Sequence, residues 1–485
     1  MSSIRVRFAP SPTGYLHIGG LRTALYVYLF ARKHSGQLVL RIEDTDRTRF
    51  VPDAEADILK GLKWSGIDYD EGPDVGGKYG PYRQSERTEL YHKYAAQLVE
   101  NGEAYYAFDS AEDLERMRER TGTGYNAKTR ASMNNSLVLS SDEVNRLLED
   151  PSVEHVIRLK VPENQKVTFD DVCRGTIEFA TEEIDDQVLI KSDGLPTYHM
   201  ANVVDDHLME ISHIIRGEDW LPSTPKHVLL YRALGWETPV LAHLPLILSP
   251  TGGKLSKRKA EKSGIHVFVS DYIDAGYEPE AVVNFLALLG WNPGTEQEIF
   301  TMSELVEAFS LDRVGTSGVQ FDKNKLDWIN EQVIHGLQPS DVLDRLEGTF
   351  NVEGYDRSYH ERVIEILLPR AGKLMEIPGQ ADYFFVDPSD YDEAVVAKRW
   401  KADSAKFVRA FSEKVHAVDR WEGERLHGVM EGLTKDLEVG FGKLILPVRL
   451  AITGLGSGPG IFDVMELIGK DTTLRRLGNI IERLG

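Results

Sequence analysis

Apolar and polar residues alternate along Ile4-Arg-Val-Arg-Phe8 with the two-residue period of a strand. A turn-forming stretch follows, Ala9-Pro-Ser-Pro-Thr-Gly14, and Leu21 to Lys33 then carries the apolar density of a buried helix. Gln37-Leu-Val-Leu-Arg-Ile42 returns as an apolar strand ending in Glu43-Asp-Thr-Asp46. Strand, Gly-rich turn, helix and strand make a βαβ unit, and ligands of such sheets lie at the carboxyl ends of the strands. From Tyr82 to Thr197 the pattern shifts to charged helices (Ala111 to Thr121, and Ser140 to Asp150 with a Ser140/Glu143 capping box) and short strands, one at His155 to Val161. This stretch reads as an insertion between two halves of a nucleotide-binding fold. The α/β pattern resumes over Ala201 to Leu248, with a strand expected at Glu210 to Ile215 and a helix at Thr224 to Leu234. Beyond Ser263 helical spacing dominates: a Thr301/Glu304 capping box opens Glu304 to Ser310, and further helices are expected at Arg362 to Leu368, Glu393 to Ser412 and Glu422 to Leu437. Turns near Pro378-Gly379 and Asp387-Pro388 join them.

The 485 residues suggest about three or four domains. No apolar run reaches the roughly 18 residues a membrane helix needs, and the N-terminus lacks the order of a secretory signal. Cys173 is the only cysteine, which excludes an internal disulfide and any multi-cysteine zinc site. A cytoplasmic protein is expected. The formal net charge of −21 opposes non-specific binding to nucleic acid. It fits either plain solubility or one basic face set among acidic ones, and totals do not choose between them.

Two motifs carry candidate chemistry. His17-Ile-Gly-Gly20 sits at a strand-to-helix junction, where free backbone N–H groups and the helix dipole favour phosphate. Gly19 and Gly20 clear side chains from the nucleotide's path, and His17 can donate to a phosphoryl oxygen. Lys254-Leu-Ser-Lys-Arg258 follows the Gly252-Gly253 turn, and its two ammonium groups suit a clamp on a triphosphate and on departing pyrophosphate. Taken alone, the first is compatible with a simple turn and a capped helix, the second with a solvated lysine run. Their order and separation favour chemistry.

Together these motifs resemble the two signatures of class I aminoacyl-tRNA synthetases. The surrounding sequence is similar to bacterial glutamyl-tRNA synthetases: Arg5 to Gly14, Arg41-Ile-Glu-Asp-Thr-Asp46, Glu71 to Gly77, Pro81 to Glu86, Lys191 to His199, Ala201-Asn-Val-Val-Asp-Asp-His207 and Ile215-Arg-Gly-Glu-Asp219 all fit. The resemblance implies an α/β N-terminal half, a Rossmann-like parallel sheet with an inserted α+β acceptor-binding domain, followed by all-α anticodon-binding domains. The expected divisions are 1–82 with 200–240 (catalytic), 83–199 (insertion), 241–334 (a stem-contact helical domain carrying the Lys254–Arg258 loop), and 335–392 and 393–485 (anticodon-binding).

By the same resemblance Arg7, Ser11, Glu43, Tyr198, Asn202 and Arg216 surround glutamate. Glu43 suits the substrate ammonium, and guanidinium groups from Arg7 and Arg216 suit carboxylates. The charged run Arg41, Glu43, Asp44 and Asp46 is otherwise compatible with a surface cluster at a strand end. ATP is assigned to His17, Gly19, Gly20, Asp219, Trp220, Lys254, Ser256, Lys257 and Arg258. Of these His17, Gly19, Lys254 and Lys257 are the catalytic set. Arg158 and Lys191 in the insertion, and Arg370, Arg449 and Ile461 in the C-terminal half, are the expected tRNA contacts. Arg370 matches a position linked in the family to discrimination at the anticodon. The implied partners are tRNA(Glu), L-glutamate and ATP with Mg2+. No structural zinc is expected, because the segment Tyr105 to Asp109, where some relatives hold cysteines, has none. A monomer is expected.

The nearest alternative, a glutaminyl-tRNA synthetase, has β-barrel anticodon domains, against the helical pattern here. A truncated paralogue that glutamylates a modified tRNA base lacks a C-terminal half. A non-catalytic tRNA-binding protein would not need His17, Gly19, Lys254 and Lys257.

Overall fold

The computed structural model describes residues 4–256, 260, 264–346, 348–389, 391 and 393–485. The chain divides into two compact units, Met1–Leu326 and Asp327–Gly485.

In the first unit, strand β1 (Arg5–Phe8) is buried on both faces and pairs in parallel with β2 (Gln37–Leu40). Between them runs helix α1 (Ile18–Lys33), whose side chains are buried almost continuously from Leu21 to Ala31. Such double burial explains why both strands read as short apolar runs. The expected βαβ unit is therefore present. Three strands near the insertion, β3 (Ala104–Ala107), β4 (Val156–Leu159) and β7 (Val188–Ile190), form an antiparallel sheet of their own. The hairpin of β5 (Lys166–Asp171) and β6 (Gly175–Ala180) instead reaches the parallel core, where Asp171 pairs with Leu241. Helix α2 (Tyr198–Leu208) leads into β8 (His213–Gly217), which pairs in parallel with β9 (Val240–Leu244) across helix α3 (Thr224–Ala233). Ser212 fastens this half to the first. Its N–H donates to the Arg5 carbonyl and its Oγ accepts from the Arg5 N–H, both at 2.9 Å. The strand expected from Glu210 begins only at His213. Glu210 has φ 55° in the turn that closes α2, a conformation no strand residue adopts.

The second unit is helical in its described residues and shares one apolar core from Ile334 to Ile480. The helix expected at Arg362 starts earlier, at Arg357, because Asp356 caps it by accepting from the Tyr359 N–H at 2.9 Å. The single helix expected over Glu393 to Ser412 is two, Glu393–Arg399 and Ser404–His416. Between them Trp400 turns its indole N–H onto the Leu484 carbonyl, and the Lys401 N–H bonds to Ser404 Oγ. Pro378 and Gly379 lie in a one-turn helix, Ile377–Gln380, whose first turn has no need of the missing N–H. The turn at Asp387 is held by Arg475 and the buried Arg476, which together keep the Asp387 carboxyl down at about 2.

Among the described residues no helix is long and apolar enough to cross a membrane. Nor is there a group of three or more His, Cys, Asp or Glu side chains placed to hold a metal ion.

Candidate active site

The carboxyl ends of β1, β2 and β8 and helix α2 converge on a buried polar lattice. Asp206 Oδ1 accepts from Arg7 Nε at 3.0 Å and from Arg41 Nη1 at 2.7 Å. Arg41 has no exposed surface, and its Nη2 reaches Glu43 Oε1 at 3.0 Å. Asn202 Nδ2 adds a second bond to the same oxygen at 3.3 Å, and nothing described bonds Glu43 Oε2. Buried Asn202 Oδ1 is likewise without a partner. Burial pushes the Glu43 carboxyl up, against the pull of Arg41 and Arg7. Two acceptors without donors beside a buried carboxylate suit an ammonium group. Behind them Asp205 accepts from Arg87, Gln84 and Tyr91 at 2.7 to 2.9 Å. The rest of the charged run is structural: Asp44 binds Ser85, and Asp46 caps a turn over Thr48 and Arg49. The surface-cluster reading thus fits Asp46 but not Arg41 or Glu43.

Arg216, at the end of β8, has a different environment. Its guanidinium donates to the Tyr198 hydroxyl (3.1 Å), His227 Nδ1 (3.2 Å), His243 Nε2 (3.0 Å) and Thr224 Oγ1 (3.0 Å). Each partner is neutral, and no described carboxylate lies within ion-pair distance of this buried cation. Burial, then Arg216 itself, holds the His227 pKa well below the ordinary value, so the ring stays uncharged at neutral pH. Tyr198 accepts from Arg216 and keeps its own O–H to donate. Burial pushes its pKa up, and Arg216, Glu43 and Arg7 are among the charges near enough to act on it. A buried, uncompensated guanidinium with an O–H donor beside it suits a carboxylate.

The nucleotide motifs lie alongside. His17 caps α1, its Nδ1 accepting from the Gly20 N–H at 3.0 Å. That bond leaves the ring proton on Nε2, free to donate. The residue is exposed, yet desolvation first and Lys254 second push its pKa down, so it is neutral at pH 7. A Cβ on Gly19 would press on this ring at 3.2 Å. Phe268 and Val269 pair with the backbone at Leu16 to Ile18 and brace the turn. Gly252 and Gly253, at φ 87° and 68°, make the reversal that returns Leu255 to Ile247. Lys254 then meets Asp219 at 2.7 Å, with both side chains exposed. Trp220, 39% exposed, stacks on Tyr198 at 4.1 Å and so joins the two halves of the site. Ser11 is exposed on the turn whose Pro10 carbonyl accepts from the Glu43 N–H, and Ser256 is also exposed. Lys257 and Arg258 lie outside the described residues.

Two of the expected tRNA contacts, Arg158 and Ile461, are buried side chains. Arg158 is only 8% exposed, lies 4.1 Å over the Tyr125 ring and donates to the Asp186 carbonyl. Ile461 is 1% exposed and belongs to the core of the second unit. Lys191 is half-exposed and pairs with Asp193 at 3.3 Å. Arg370 and Arg449 come together: desolvation and the nearby Arg370 charge both depress the Arg449 pKa. Arg449 also holds the Pro459 carbonyl at 2.8 Å.

The chain matches the family model described as tRNA synthetases class I (E and Q), catalytic domain, over residues 3–328, and the anticodon binding domain model over 332–481. It is 48% identical to the glutamate–tRNA ligase of Cytophaga hutchinsonii, covering 98% of this chain and 96% of that one. To the enzyme of Christiangramia forsetii it is 45% identical over 100% and 99%. A crystal structure of a glutamate tRNA ligase from Elizabethkingia meningosepticum, in complex with its amino acid, superimposes with TM-score 0.92 at 40% identity over the whole of both chains. The chain belongs to the glutamate–tRNA ligase family. Its activity is ATP-dependent activation of L-glutamate to glutamyl-adenylate and transfer to the 3′-terminal adenosine of tRNA(Glu). Class I synthetases use ATP, generally with Mg2+.

The sequence does not single out His227, His243 and Asp171, which stand around Arg216, or the pairing of Asp206 with Arg7 and Arg41 in this glutamate–tRNA ligase. A signal was present, since His243 interrupts the apolar strand Val240-Leu-Ala-His-Leu244. The histidines also set an acid limit. Burial and then Lys226 push His199 down to about 4, and burial first holds His227 well below the ordinary value. Between the ordinary value of 6.5 and the folded His199 value the unfolded chain binds more protons, so stability is lost as pH falls through that window. The melting temperature should drop from pH 6.5 to 4, and less steeply in His199→Gln. Parallel curves for the two proteins would exclude His199 as a contributor.

Proposed function

We propose that Glu43 Oε2 and Asn202 Oδ1 receive the ammonium of glutamate, and that Arg216 with Tyr198 receives its side-chain carboxylate. Arg7 and Ser11 complete the pocket. The observation that carries this reading is the buried Arg216 guanidinium, bonded four times to neutral groups and never to a carboxylate. Glutamine would leave that charge unmatched, which is a costly mismatch in a buried site.

His17, Gly19, Gly20, Asp219, Trp220, Lys254, Ser256, Lys257 and Arg258 bind ATP in this reading. Trp220 offers a face to adenine. Lys254 leaves Asp219 for the triphosphate, an exchange made easy because an exposed ion pair is worth only about 0–1 kcal/mol. The glutamate α-carboxylate attacks the α-phosphate and pyrophosphate departs. The terminal adenosine hydroxyl of the tRNA then attacks the activated carbonyl. No protein nucleophile takes part. His17, as a neutral Nε2–H donor, and Lys254 with Lys257 meet the growing negative charge. Exchange of labelled pyrophosphate into ATP, run with tRNA and either amino acid, tests the pocket. Glutamate should support exchange and glutamine should not; equal exchange would remove Arg216 from selection.

Residues 1–82 with 200–240 make the catalytic domain of this proposal, 83–199 the acceptor-stem insertion, 241–334 the stem-contact domain, and 335–392 and 393–485 the anticodon-binding part. Lys191 serves the acceptor end, and Arg370 beside Arg449 serves the anticodon, where a guanidinium can read a base edge or stack on it. Arg370→Gln should narrow the preference for glutamate tRNA over glutamine tRNA. Unchanged selectivity, measured on the two purified tRNAs, would count against the assignment. The enzyme is taken to work in the cytoplasm as a monomer.

A further inference from the structure

The Arg216 guanidinium is not held by the pocket alone. Its Nε donates to His243 Nε2 at 3.0 Å, and the opposite ring nitrogen, Nδ1, stands 2.6 Å from Asp171 Oδ2. All three residues are buried, His243 completely. An arginine nitrogen can only donate, so Nε2 must offer its lone pair and Nδ1 must carry the ring proton. A carboxylate only accepts, so Asp171 selects that tautomer. Burial first, and the adjacent Arg216 as well, keep the ring below the ordinary histidine pKa, so no second positive charge faces the guanidinium.

The Asp171 carboxylate is itself fixed. Its Oδ1 accepts from the backbone N–H groups of Cys173 at 3.0 Å and Arg174 at 3.1 Å in the turn between β5 and β6. One oxygen is locked into the hairpin and the other faces the ring. A chain of defined polarity therefore runs from the hairpin turn through His243 to the root of the Arg216 guanidinium.

We infer that His243, held in one tautomer by Asp171, is a positioning residue that sets the plane in which Arg216 presents its N–H groups to the substrate carboxylate. This rests on the reading that Arg216 takes that carboxylate. Neither His243 nor Asp171 touches substrate in this scheme. Both act through Arg216.

The polarity gives a test with an internal control. In Asp171→Asn the amide oxygen must take the place of Oδ1, because the Cys173 and Arg174 N–H groups need an acceptor. The amide NH2 then faces His243 Nδ1 and drives the ring proton to Nε2, where it opposes Arg216. In His243→Gln an amide oxygen can accept from Arg216 whatever residue 171 presents. Aminoacylation by the full-length enzyme should show KM for glutamate raised roughly 10- to 100-fold in Asp171→Asn and in His243→Phe, the size of a lost hydrogen bond to a charged group. The effect should fall on KM for glutamate more than on kcat or on KM for ATP. His243→Gln should restore most of the affinity, and adding Asp171→Asn to it should change little. Equal effects of Asp171→Asn in the two backgrounds would overturn the inference. So would an unchanged KM in His243→Phe when Arg216→Lys raises it. If Arg216→Lys also leaves KM unchanged, the reading of Arg216 itself falls.

Discussion

Arg216→Gln is expected to lower kcat/KM for glutamate by about 10³-fold, close to 4 kcal/mol at 1.4 kcal/mol per decade. The size follows from burial. A rim arginine would be screened and would contribute little, whereas this guanidinium lies in the core with neutral neighbours on four of its bonds. Removing it leaves the substrate carboxylate desolvated without a counter-charge. Glutamine has no charge to lose, so its activation should fall far less and the ratio of the two substrates should narrow. Gln can still donate within the same shell of hydroxyl and imidazole acceptors, so the fold should persist. Steady-state activation with both amino acids measures this, and a loss under about 3-fold for glutamate would place the carboxylate elsewhere.

The second large effect is on stability. Arg41→Met is expected to cost about 3–5 kcal/mol, because it strips a buried guanidinium from Asp206 and Glu43 and leaves carboxylates without a partner in a low-dielectric core. Asp206 feels this most. Arg41 and Arg7 together hold its carboxyl below the usual range against the opposing pull of burial, and its Oδ2 has no partner of its own. Urea unfolding of the two proteins side by side reads the difference. A cost below about 1 kcal/mol, the range of exposed pairs, would mean that water reaches the lattice.

Much of this was legible from the sequence because its signals are local. The strand–turn–helix at residues 4–33 follows from apolar periodicity, and the capping boxes at Ser140 and Thr301 follow from two side chains three residues apart. His17 and Lys254 read as a pair of phosphate-directed motifs, and the structure brings them close enough for Lys254 to depress the His17 pKa. What stayed hidden depends on distant partners or on burial. Asp171 and His243 are 72 positions apart, and Arg7 and Asp206 are 199 apart, so no spacing rule joins them. The burial of Arg158 is not legible either, because arginine in a strand carries no mark of which face is inward. In the fold its guanidinium lies over Tyr125. Ile461 sat in a Gly-Pro-Gly turn that reads as surface, yet it opens a helix whose apolar face closes the second unit's core. The break at Trp400 was likewise invisible, since the residue that captures its indole is Leu484, at the far end of the chain.

The central claim is that a buried guanidinium without a carboxylate partner selects glutamate. A crystal structure of the enzyme with bound glutamate tests it most directly. The account predicts the side-chain carboxylate within hydrogen-bond distance of Arg216 and the Tyr198 hydroxyl, and the ammonium on Glu43 Oε2. A glutamate whose side-chain carboxylate lies away from Arg216, with water or a protein carboxylate in its place, would contradict it.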